Sequence, residues 1–185
     1  MEKCLILDFD DTLVKTIDVH AESWQHALER VLDIEIPIDS IHADINYGMD
    51  VLLKKYQLTE EESLLAQQYK KEIFDKNIHR TKVNQLLLYV IENRLFEYYI
   101  IASNSSRENV DKIMAYHGIS QDLFHNIYTR ENVSFKKPHP EMGSLIFDLL
   151  KENNYNKKDY LMVGDSEVDS TFARKLGIKC LIVKF

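Results

Sequence analysis

Two hydrophobic patterns alternate along this chain, and they occupy different stretches of it. Residues 3–9, Tyr98–Ala102, Tyr160–Val163 and Cys180–Val183 are short, nearly unbroken apolar runs, the pattern of parallel strands buried on both faces. Asn126–Thr129 adds a weaker, shorter run. Between them, residues 83–94, 107–117, 140–153 and 167–176 read as helices. The second and fourth are followed by Gly118 and Gly177, residues suited to ending a helix, and Pro140 suits the first turn of the third. Such alternation predicts a parallel sheet joined by right-handed crossovers. Residues 15–81 break the alternation just after the first strand. Ile17, Ala21, Trp24, Leu28 and Val31 share one helical stripe, and Asp39 or Ser40 could cap a short second helix. Gly48 marks a turn, and Thr59 with Glu62 has capping-box spacing for a helix reaching about residue 78. The block has helices and no convincing strand, so it reads as an insertion.

The chemistry is concentrated where apolar runs stop. Leu5-Ile6-Leu7 ends in Asp8-Phe9-Asp10-Asp11-Thr12, three carboxylates and a hydroxyl directly after a buried strand. Clustered ionised carboxylates repel, which raises a pKa unless a cation sits among them. In open parallel sheets, ligands bind beyond the carboxyl ends of the strands. Ser103-Asn104 follows the strand Tyr98–Ala102, Lys137 precedes Pro138, and Gly164-Asp165 follows the strand Tyr160–Val163, with Asp169 four residues on. Taken singly, each has an ordinary structural reading: an acidic turn, a helix cap at Ser103, an exposed basic pair at Lys136-Lys137, and a capping aspartate at Asp165. Taken as ligands, Ser103 and exposed N–H groups suit an anion, Lys137 offers a fixed positive charge, and Asp165 suits a hard cation such as Mg²⁺.

Asp8-x-Asp10-x-Thr12, Ser103 after an apolar strand, Lys137-Pro138, and Gly164-Asp165 with Asp169 occur in the order and spacing of the haloacid dehalogenase superfamily. The chain resembles its phosphatases over essentially its whole length. That resemblance implies a Rossmann-like three-layer α/β/α core with a five-stranded parallel sheet, formed by residues 1–14 and 82–185, and an inserted C1-type helical cap at residues 15–81. It implies a Mg²⁺-dependent phosphatase acting on a small phosphorylated metabolite through an aspartyl-phosphate. Asp8 would be the nucleophile and Asp10 the general acid–base. Mg²⁺ would be held by Asp8, the main-chain carbonyl of Asp10 and Asp165. Ser103, the Asn104 backbone and Lys137 would bind the phosphoryl group, Thr12 would orient Asp10, and Asp169 would steady the metal site or Lys137. Tyr47, Gly48 and Met49 resemble the cap loop that sets specificity in this branch, although an ordinary helix–helix turn reads equally well there. Met49 stands where β-phosphoglucomutases carry a basic residue, which disfavours a phosphomutase. A dehalogenase is disfavoured by Asp10, and a non-catalytic binding module by retention of all five key groups. Asp11 departs from the usual glycine, and the chain ends at its fifth predicted strand.

Composition narrows the classes further. The net charge of −7 over 185 residues gives no support for nucleic-acid or anionic-membrane binding. Two cysteines, Cys4 and Cys180, lie in apolar runs and read as buried thiols rather than a disulfide scaffold. The N-terminus runs straight into a strand, not a signal peptide, and no apolar run approaches the roughly 20 residues of a membrane helix. A cytoplasmic monomer is expected. The seven histidines show no metal-binding spacing, and Trp24 reads as core.

Overall fold

The computed structural model describes residues 2–45 and 49–185. In chain order the elements are β1 (Cys4–Leu7), β2 (Val14–Lys15), α1 (Ile17–Leu32), α2 (Ile38–Ile45), α3 (Met49–Lys55), α4 (Glu60–Asn77), β3 (Lys82–Val83), α5 (Gln85–Glu92), β4 (Tyr98–Ala102), α6 (Arg107–His117), β5 (Asn126–Tyr128), α7 (Glu141–Leu149), β6 (Tyr160–Gly164), α8 (Glu167–Leu176) and β7 (Lys179–Ile182). They form two compact units, one of residues 1–15 and 82–185, the other of residues 16–81.

The first unit is built on a five-stranded sheet in the order β5-β4-β1-β6-β7, with every neighbouring pair parallel. This is the α/β Rossmann-like architecture. All four residues of β1 are buried because the strand is central and covered on both faces. Along one face, Ile6, Ile100 and Met162 meet Met142 and Ile146 of α7 and Phe172 of α8. Register decides the rest: Leu7 lies opposite Ile101 on one side and Val163 on the other. Strands β1, β4 and β6 therefore release their chains at the same sheet edge. Strand order also reverses beside β1, the place where open α/β sheets open a crevice.

The second unit is helical, with α1 packed on α4. Its core holds Ala21, Trp24, Leu28, Ile36, Ile41, Leu52 and Ala66, so Trp24 is core. The Arg30 guanidinium lies 3.8 Å from the Tyr69 ring, and His20 stacks on Phe74 at 4.3 Å. Thr59 and Glu62 close the capping box that starts α4, with the Glu62 amide 3.2 Å from Thr59 Oγ1. Arg80 at the far end grips Glu22 of α1 through both its terminal nitrogens.

Local details differ from the sequence reading in several places. Asp39 and Ser40 do not cap α2, which already begins at Ile38, directly after Pro37. Val83 belongs to a two-residue strand paired antiparallel with β2, and the helix after it starts later because Asn84 caps it through Oδ1. Two-residue strands carry too little periodicity to be read from sequence. The helix after Pro140 stops at Leu149 and tightens into a 3₁₀ turn at Lys151–Asn153. The helices that follow Ser103 and Asp165 are capped by Ser106 and Ser166, so neither Ser103 nor Asp165 is spent as a cap. Among the described residues no helix is long and apolar enough to cross a membrane.

Candidate active site

Asp8 leaves β1 at the crevice, its amide held 2.9 Å from the Val163 carbonyl of β6. The chain then turns sharply: the Leu13 and Val14 amides both donate to the Phe9 carbonyl at 3.0 Å, and the Asp11 amide donates to Val14 at 2.7 Å. Asp11 makes the turn with φ +57°, a left-handed conformation that glycine adopts without cost and Asp adopts better than most residues. Thr12 is fully buried and donates its hydroxyl to Asp8 Oδ2 at 3.3 Å. That contact serves Asp8 rather than Asp10. Ser105 donates its hydroxyl to Asp10 Oδ2.

The β4 loop supplies three consecutive contacts. Ser103, 1% exposed, accepts the Ser105 amide on its Oγ at 3.0 Å. Asn104 clamps the main chain of Lys137 with two bonds of 2.9 Å, its amide donating to the Lys137 carbonyl and its Oδ1 accepting the Lys137 N–H. The sequence pointed to the Asn104 backbone; its side chain is the part that positions Lys137. Glu141 pins the other end of that loop by accepting the amides of Ser134 and Phe135 at 3.0 and 2.9 Å. No sequence signal marked Ser105 or Glu141, because their partners are distant in the chain or in a loop without periodicity.

Lys137 is 5% exposed and so is no surface lysine. Its ammonium lies 2.8 Å from Asp8 Oδ1 and 2.6 Å from Asp169 Oδ1. The second carboxylate oxygen of Asp169 accepts Ser166 Oγ at 2.8 Å in the capping box of α8. Gly164 makes room for this: a Cβ there would lie 2.3 Å from Asp169 Cγ. Asp165 follows, partly exposed, and carboxylate oxygens of Asp8, Asp165 and Asp169 all lie within 4.8 Å of one another. Three carboxylates thus face one ammonium. Burial, with the neighbouring charges of Asp169 and Asp10, pushes Asp8 up to about 7 despite the pull of Lys137. Burial and Asp169 raise Asp165 as well. Asp169 is held low, because Lys137 and Ser166 outweigh its burial, and Lys137 stays protonated because Asp8 and Asp169 outweigh its own.

Asp8, Asp10, Thr12, Ser103, Asn104, Lys137, Asp165 and Asp169 are therefore gathered at one sheet edge or directly support it. Tyr47 and Gly48 lie outside the described residues, and Met49 opens α3.

Comparison with known proteins agrees with this architecture. A Clostridium perfringens protein provisionally named pyrophosphatase PpaX is 26% identical over 192 residues, covering 100% of this chain and 85% of that protein. Phosphoglycolate phosphatase from Photobacterium profundum is 23% identical, covering 90% of this chain and 76% of its own. Among solved structures, CbbY from Rhodobacter sphaeroides in complex with phosphate superposes with a TM-score of 0.81 at 16% identity, over 100% of this chain and 87% of that one. The sequence profile of the haloacid dehalogenase-like hydrolases matches residues 5–183, and the chain belongs to that family of enzymes.

Proposed function

We propose that this protein is a Mg²⁺-dependent phosphatase that hydrolyses a small phosphomonoester through an aspartyl-phosphate on Asp8. The observation that carries the reading is the buried Lys137 ammonium bonded to Asp8 and Asp169 beside Asp165, at the crevice where Ser103 also emerges. Phosphatase names among the relatives, and the phosphate in the CbbY complex, support the substrate class.

The residues fit a divalent cation. Three carboxylates face one ammonium, a local excess of acidic groups that a divalent cation would offset. Asp8, Asp165 and the main-chain carbonyl of Asp10 would hold the ion. When bound, Mg²⁺ supplies positive charge that offsets the clustered carboxylates and the phosphoryl oxygens. Lys137 and Ser103 present an ammonium and a hydroxyl to the phosphoryl group, so that its charge is met by preorganised donors. An Asp8 carboxylate oxygen attacks phosphorus as the bond to the leaving oxygen breaks, and Asp10 gives that oxygen its proton. Water then attacks phosphorus, Asp10 takes a proton from that water, and the bond from the Asp8 oxygen to phosphorus breaks, releasing phosphate and restoring the carboxylate. The helical unit, read as a cap over residues 15–81, would select the substrate, with Tyr47, Gly48 and Met49 as its specificity loop.

The test is hydrolysis of 4-nitrophenyl phosphate with Mg²⁺ and with EDTA, by the natural chain and by Asp8→Asn. Turnover is expected only for the natural chain with Mg²⁺. Activity that survives both chelation and the substitution would sink the mechanism.

A further inference from the structure

We propose that Ser105 is a positioning residue for Asp10 and acts on the leaving-group step; this rests on the phosphatase reading. Asp10 sits in the turn after β1 and is partly exposed, so burial alone does not fix its carboxylate. A general acid must meet the leaving oxygen at hydrogen-bond distance, and a misplacement of about 1 Å costs on the order of 100-fold in rate. Ser105 supplies one such constraint. Its hydroxyl donates to Asp10 Oδ2 across 95 residues of sequence.

The donor is itself immobilised at three points. Its amide is held by Ser103 Oγ at 3.0 Å, its carbonyl accepts the Arg130 amide at 3.2 Å, and the next residue, Ser106, caps α6 by accepting the Asn109 amide at 3.3 Å. One loop therefore carries a phosphate-binding hydroxyl at Ser103, a clamp on Lys137 at Asn104 and a latch on the acid at Ser105. A serine hydroxyl has a single proton to donate. With that proton committed to Oδ2, Ser105 holds one edge of the Asp10 carboxyl in place.

A general acid matters in proportion to how badly the leaving group needs a proton. 4-Nitrophenolate departs as the anion, whereas an alkoxide does not. The experiment compares kcat/KM for 4-nitrophenyl phosphate and for a short-chain alkyl phosphate, because kcat/KM stops at the first irreversible phosphoryl transfer. In Ser105→Ala the aryl-to-alkyl ratio is expected to rise at least tenfold over that of the natural chain. Ser105→Thr, which keeps the hydroxyl, should return the ratio to within about threefold of the natural value. An equal fall on both substrates in Ser105→Ala, or a ratio that Ser105→Thr does not restore, would overturn the proposal. If the natural chain hydrolyses neither substrate, or Asp8→Asn retains activity, the phosphatase reading fails first and takes this inference with it.

Discussion

Gly164→Ala tests whether close approach between β6 and α8 sets the site. The added Cβ would lie 2.3 Å from Asp169 Cγ and 2.4 Å from Asp169 Cβ. Carbon atoms rest at about 3.5 Å, so the overlap is about 1 Å. Turning the Asp169 side chain cannot relieve it, since Cβ is itself one of the clashing atoms. The start of α8 must retreat by roughly that distance, taking Asp169 away from Lys137 (now 2.6 Å) and disturbing the Ser166 cap. Overpacking costs about 1–3 kcal/mol and a lost cap about 1 kcal/mol, so the variant should lose about 2–4 kcal/mol. The single tryptophan, Trp24, reports on the helical unit, so hydrogen exchange of β1, β6 and α8 amides through a urea series is the suitable assay. Gly143→Ala serves as the control. Its Cβ would lie 2.4 Å from Leu176 Cδ1 and Cδ2 and 2.9 Å from Cγ, atoms beyond Cβ that a rotamer change can move, and it should cost less. A loss below about 1 kcal/mol for Gly164→Ala, or a larger loss for Gly143→Ala, would refute the reasoning.

Three further perturbations separate charge from geometry. Lys137→Met keeps side-chain bulk but strands Asp8 and Asp169, so it should destabilise the core by about 3–5 kcal/mol and abolish phosphate ester hydrolysis, measured by urea unfolding and steady-state assay. For Asp8 the folded chain titrates near 7 against an ordinary 3.8, so between those values the native state holds more protons than the unfolded one and stability falls as pH rises, levelling above 7. Without metal, the natural chain measured against Asp8→Asn should show that decline between about pH 4 and 7, and Asp8→Asn should be the more stable at pH 7.5; saturating Mg²⁺ should remove the difference in slope. Asp11→Gly exchanges a residue that tolerates the left-handed conformation for one that adopts it freely but carries about 0.5–1 kcal/mol more backbone entropy cost, so stability by thermal unfolding should change by no more than about 1 kcal/mol, and a larger change would contradict this.

The amino-acid order alone determined the parallel-sheet class and marked the candidate site residues, because both are written locally. Buried strands such as Cys4–Leu7 leave continuous apolar runs, and Asp8, Ser103 and Asp165 stand immediately after them. The helical block was legible through the stripe of Ala21, Trp24 and Leu28 and through the Thr59–Glu62 box. Tertiary structure decided which atoms meet. Whether Lys137 was a surface lysine or a buried counter-ion depends on a distance to Asp8 spanning 129 residues, which no local pattern encodes. That Thr12 serves Asp8 while Ser105 serves Asp10 follows from strand register and loop anchoring, both long-range properties. Gly164 looked like part of a motif; packing makes it a requirement, because α8 brings Asp169 against the strand. Side-chain chemistry was readable in one dimension, and the sharing of hydrogen bonds among those side chains was settled only when the sheet aligned its strand ends.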